Sequence, residues 1–313
     1  MPYPWPPLTP GDPDEVAHRV ALVLDDAWQR LADQQQAVLA RFADHPRLPH
    51  VLATLKEFQQ AIRVFRDRVD DEARAFVQRQ LPHLYEQGAR HAAAALGTAF
   101  TWTQIHADAL QALAADSYAD FLRRSEEAER MAAQFYRAAR AVARREVPLL
   151  AAGNRTARQA ARQLADRLAA EHQLRHVVYR DGARVPVRVW AEAATLAKSA
   201  VAYNAGTLNK ARQAGVAYVE VFDGADCGWL THTDPDKANG TVRTVGEAAE
   251  APISHPRCRR AFGPRPDAGV GDGPGADAYR PGSNLVSPVA HGARCAILGR
   301  EWAPRVRFRT FSA

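Results

Sequence analysis

Between Cys227 and Arg260 the chain reads CGWLTHTDPDKANGTVRTVGEAAEAPISHPRCRR, which places two of its three cysteines and two of its eleven histidines in a C-x4-H … H-x2-C arrangement. Thiolate and imidazole are the ligands tetrahedral zinc prefers, and two close pairs separated by a loop are the usual build of a structural site. The first pair is Cys227 and His232; the second is His255 and Cys258. Between them, Pro235 fixes φ and Gly240 permits positive φ, so DPDKANG forms a turn. The pattern predicts a knuckle, a loop returning on itself and held at its base by four side chains, with zinc as the candidate structural cofactor. Two other readings stay open at this point. One is a Cys227–Cys258 disulfide, which needs an oxidising compartment. The other is two buried thiols beside two loop histidines.

Catalytic patterns are sparse. There is no G-x-S-x-G elbow, no phosphate-binding glycine loop followed by Lys-Ser/Thr, no G-x-G-x-x-G after a strand and no H-E-x-x-H. Asp226, Asp234 and Asp236 surround the loop and would supply a carboxylate or an activated water if the site were hydrolytic. In turn-rich contexts such aspartates more often form Asx turns and caps. A closed four-ligand knuckle also lacks the open coordination position an enzyme needs. The expectation is therefore a non-enzyme, with a metal-dependent hydrolase such as a maturation protease as the alternative. His172 and His176 have i,i+4 spacing but no adjoining carboxylate motif, so they are not counted as ligands.

The elements that must position these residues fall into four segments. With 313 residues, 47% apolar and 24% charged, the chain suits one large or two modest domains. No run of eighteen apolar residues occurs, so no membrane span is expected, and the N-terminus lacks the features of a secretory signal. Three cysteines, an odd number, fit a reducing compartment. Residues 1–13 form a Pro-rich arm, expected to be extended and docked on a partner. Residues 14–172 carry apolar positions at three-, four- and seven-residue steps. They are expected to form a partner-docking region of helices broken near Pro46, Pro82, Gly88 and Gly97, then between 122 and 125, and closed by Pro148 and Gly153. Residues 173–266 hold a β-hairpin around Asp181-Gly182, a helix over 190–213 stopped by Gly215, an apolar strand over 216–222 and the knuckle. Residues 267–313 are a Gly/Pro linker and a basic tail. The fold class is α+β, with long amphipathic helices first, a small α+β module with a Cys/His knuckle next, and an extended Pro/Gly-rich C-terminal tail.

Charge is uneven as well. Net charge is +6, and from Arg257 to Ala313 ten Arg stand against four Asp and Glu. Arg257, Arg259, Arg260, Arg265, Arg305, Arg307 and Arg309 are thus candidate contacts for phosphate backbones or an acidic partner surface, or else a solvated basic tail.

The order of features from Asp181 to Pro266 resembles the phage Mu F-type minor head proteins, also called phage head morphogenesis proteins, in an actinobacteriophage-like version. The pieces that carry the likeness are the helix TLAKSAVAYNAGTLNKARQAG, the strand YVEVFD, the DCG with its following ANG turn, and HPRCRR followed by FGPRP. Upstream, WTQIHADALQALAADSYADFL and NRTARQAARQLADRL extend it to about residues 100–266. The chain departs from the pattern where many members have a C-x2-C pair, and where the usual final Arg-Cys is Arg259-Arg260. The resemblance implies a minor capsid protein present in few copies in the virion. Such proteins lie with the portal in the head interior, after assembly in the host cytoplasm. They act in prohead assembly and in DNA packaging or delivery. The implied partners are a portal protein and a scaffold or major capsid protein, with non-specific DNA contact and no membrane.

Overall fold

The computed structural model describes residues 5–44, 47–151, 155–179, 182–223 and 238–268. They are mostly helical with small antiparallel sheets, an α+β composition. The chain divides into two compact units, residues 1–78 with 115–195, and residues 79–114 with 196–313. The units interleave along the chain, where periodicity and composition suggest contiguous segments.

In the first unit, α1 (Pro13–Asp44) begins where Asp12 accepts hydrogen bonds from the backbone N–H groups of Asp14 and Glu15 at 2.9 and 3.2 Å. This satisfies donors that the helix start leaves without partners. Its buried stripe, from Val16 through Trp28 to Phe42, packs against α2 (Leu48–Ala75). Trp28 meets Phe65 edge to face at 4.5 Å, and Phe58 meets Phe135 at 5.2 Å. Such aromatic pairs add specific geometry to area burial. A buried carboxylate, Glu72, pairs with Arg19 and, at 4.0 Å, with Arg68. Burial pushes its carboxyl above the usual range, against the pull of Arg19. The hairpin β1 (His176–Val178) and β2 (Arg184–Pro186) also belongs here, with Val177 opposite Val185 and Gly182 at φ 83°.

Three expectations change. The N-terminal arm does not stand off for a partner over the residues described: Leu8 is 1% exposed, and Arg19 donates to the Pro6 carbonyl at 2.6 Å. Residues 104–151 form one 48-residue helix, α4 (Gln104–Ala151), rather than two. The buried stripe runs unbroken through Phe121, Ser125 and Ala128, and the Ser125 hydroxyl bonds back to the Leu122 carbonyl within the helix. Pro148 lies inside the final turns of α4, and α5 (Arg155–Glu171) follows.

The second unit is built around the later part of α6 (Val187–Gln213). This helix starts at Val187, three residues before Trp190, because β2 ends at Pro186. One side packs Leu208 and Ala211 with Val219, Val221 and Phe262 of the sheet. Another packs Ala197, Val201 and Ala205 with Tyr85 of α3 (Leu81–Ala95) and Leu113 of α4. A π-helical turn, Phe76–Gln80, precedes α3, and Gly88 lies within α3 rather than ending a helix. Gly215, at φ 74°, ends α6 through a Val216 N–H bond to the Ala211 carbonyl. The sheet has the order β4-β3-β5, all antiparallel: β3 (Tyr218–Phe222), β4 (Val242–Thr244) and β5 (Ala261–Pro264). Between β4 and β5 sits α7 (Val245–Glu250), opened by a capping box in which Thr244 and Glu247 exchange bonds.

Candidate functional site

The residues from 252 to 260 close the second unit. Cys258 N–H bonds to the His255 carbonyl at 2.9 Å, a single turn that sets the two side chains three positions apart. Cys258 is 3% exposed. Its sulfur lies 3.2 Å from the Ser254 hydroxyl and accepts the Arg260 backbone N–H at 3.3 Å. An N–H aimed at a cysteine sulfur is also how the outer shell supports a metal-bound thiolate. His255 and Cys258 therefore suit half of a zinc ligand set. Cys227 and His232, with Asp226, Asp234 and Asp236, lie outside the described residues. Among the described residues no group of three or more His, Cys, Asp or Glu comes together to hold a metal. His172 and His176 do not form a helical pair: α5 ends at Glu171, and His176 begins β1.

Arg260 anchors this run through three side-chain hydrogen bonds. Its guanidinium is 1% exposed and takes Asp223 in a two-point pair, Nε to Oδ1 at 2.6 Å and Nη2 to Oδ2 at 2.9 Å. Nη1 donates to the Ala251 carbonyl at 3.0 Å. Asp223 follows the last residue of β3, and its own N–H bonds to Asn239 Oδ1 at 2.9 Å. Below this pair, Asn204 of α6 donates from Nδ2 to the carbonyls of Pro252 and Arg260, both at 2.8 Å. The clasp thus joins the central helix, the end of β3 and the 252–260 segment. A fork-shaped cation with every face used is well matched to a buried carboxylate.

Arg260 and Arg265, read from sequence as phosphate or partner contacts, are engaged within the fold. Arg260 is buried, as above. Arg265 bonds Asp267 at 2.9 Å and Glu220 at 3.0 Å, which raises its pKa further. Arg257 is half-buried and Arg259 exposed, while Arg305, Arg307 and Arg309 lie outside the described residues.

A second polar cluster was not legible as a set in the sequence. Asn209 Nδ2 donates to the Tyr85 hydroxyl at 2.9 Å, and that hydroxyl lies 2.9 Å from His106 Nδ1. His106 Nε2 faces Gln213 Oε1 at 3.4 Å, and Lys210 Nζ donates to the same oxygen at 3.3 Å and to the Ala99 carbonyl at 3.0 Å. Nε2 must carry a proton to face the Gln213 oxygen, and with the imidazole neutral Nδ1 accepts from the Tyr85 hydroxyl. Desolvation holds His106 below its ordinary pKa, and burial pushes Tyr85 up to about 12. Trp102 stacks on Tyr85 at 5.8 Å and Phe100 lies 5.1 Å from His106. A neutral histidine and a protonated tyrosine with their ring atoms enclosed form a supporting network rather than an acid–base pair.

The chain matches no protein-family model, and no curated protein or solved structure is significantly similar to it.

Proposed function

We propose that the chain is a structural minor head protein of a tailed phage, associated with the portal and head interior and acting in prohead assembly and in DNA packaging or delivery. The reading starts from the ordered likeness over residues 181–266. The observation that supports it best is the use made of HPRCRR. Arg260 of this run is committed to a buried two-point pair with Asp223, and Cys258 to the inside of the same closure. The segment with the strongest family character thus serves to hold a module together, which is the work of a structural component. Zinc, on this reading, is a structural cofactor taken by His255 and Cys258 together with Cys227 and His232. Ligation there would tie the loop between β3 and β4 to the closing segment.

Coexpression of the chain with a candidate portal protein from the same genome tests the assignment. A complex that elutes as one species in size exclusion and survives physiological salt is expected. Separate elution of two well-folded proteins would contradict portal association.

A further inference from the structure

The charge of the chain has a second concentration, away from the tail. From Arg130 to Arg145 there are five arginines and no Asp or Glu; from Arg130 to Ala165 eight arginines stand against one acid, Glu146, a local balance of +7 in a chain of +6. In α4 these residues segregate by face. Ala128, Ala132, Phe135, Ala139, Ala143 and Val147 are buried, while Arg130, Arg137, Arg140, Arg144 and Arg145 are exposed. Arg145 pairs with Glu146. Among the described residues, no carboxylate pairs with Arg130, Arg137, Arg140 or Arg144.

Steps of seven residues return to nearly the same side of a helix, so Arg130, Arg137 and Arg144 form a ridge about 21 Å long, with Arg140 beside it. Like charges three and four residues apart on a helix repel, so packing within the chain does not account for the arrangement. Duplex DNA presents one negative charge per about 1.7 Å of axis, roughly a dozen along such a ridge. An acidic protein fits less well. Protein interfaces centre on aromatic or apolar anchors, and none of the exposed large apolar side chains lies on this stretch of α4.

We infer that the exposed arginine face of α4, Arg130, Arg137, Arg140 and Arg144, is a sequence-independent binding surface for the phosphate backbone of duplex DNA. It stands apart from the head-protein reading, since it concerns the purified chain alone. The test is anisotropy of a short labelled duplex titrated with the full-length chain between about 50 and 200 mM salt, where each phosphate contact contributes roughly 0.9 to the salt slope. The R137Q/R140Q/R144Q variant should bind at least about tenfold more weakly at low salt and lose about 3 from the slope, with its melting curve unchanged. The R305Q/R307Q/R309Q variant should keep most of the slope. Absence of DNA binding by the wild type overturns the inference. So does wild-type DNA binding by the ridge variant, including the case in which that variant loses only an acidic protein partner.

Discussion

Gly88 and Gly206 occupy matching places where α3 crosses α6. A Cβ on Gly88 would lie 1.9 Å from the Tyr203 carbonyl oxygen, and one on Gly206 would lie 2.0 Å from the Tyr85 carbonyl oxygen. Each glycine thus meets the carbonyl three residues before the other, and the Thr207 hydroxyl closes the contact by donating to the Gly88 carbonyl at 3.1 Å. Both obstacles are backbone, so neither can swing aside.

Alanine at either position gains up to about 1 kcal/mol of helix propensity. Against that stands a clash that forces the backbones apart, and overpacking of this kind costs about 1–3 kcal/mol, sometimes more. Gly88→Ala and Gly206→Ala should each lower stability in urea unfolding. The double variant should lose less than the sum of the two, because one separation of the helices relieves both contacts. A stabilised or unchanged single variant would mean that the helices do not approach this closely.

The Asp223–Arg260 pair makes a different prediction, because both partners are buried. Removing one leaves an uncompensated charge in the interior, a loss of about 3–5 kcal/mol. Asp223→Asn and Arg260→Met should each destabilise the second unit strongly, and the double substitution should recover part of the loss. Additive losses in the double-mutant cycle would show that the two side chains act independently.

The Tyr85–His106 network sets a pH dependence with two limbs. His106 has a lowered pKa in the fold, so below about pH 6.5, the ordinary value, the unfolded chain takes up a proton the folded chain refuses. Stability therefore falls on acidification through that region. Tyr85 keeps its proton to about pH 12 when folded, so stability also falls as pH rises from 10 towards 12. His106→Gln should flatten the acid limb and Tyr85→Phe the alkaline one. An unaltered melting profile in either variant would remove that residue from its limb.

If zinc ties the knuckle to the closing segment, protein purified from zinc-supplied medium should carry the metal. Cys258→Ser should bring zinc to background and increase hydrogen exchange in β3 and β5. Wild-type protein without zinc, at full stability, would leave the cysteine as a packed thiol supported by Ser254 and the Arg260 N–H.

Much of the helical architecture is legible in the sequence because each long helix buries one stripe, and a buried stripe is periodic. The starts of α1 at Asp12 and the stop of α6 at Gly215 are written in local chemistry too. What escapes is of another kind. The charged run after Leu122 reads as a fresh helix, and the continuity of α4 through the buried Ser125 depends on tertiary packing. Gly88 has the look of a breaker, yet it serves a helix crossing whose partner lies over a hundred residues away. The Asp223–Arg260 clasp and the Tyr85–His106–Asn209 network likewise join residues far apart in sequence, which periodicity and spacing do not connect. Of the four expected ligands, His255 and Cys258 share a turn at the closure of the second unit, and that turn is local enough to follow from H-x2-C.

The structural head-protein reading is tested most directly by quantitative mass spectrometry of any tailed-phage particles purified from a host that carries the gene for this chain. Peptides of this chain should be present in few copies, at a constant ratio to the portal subunit, in particles carrying DNA. Their absence from particles that contain portal and major capsid protein would contradict the account.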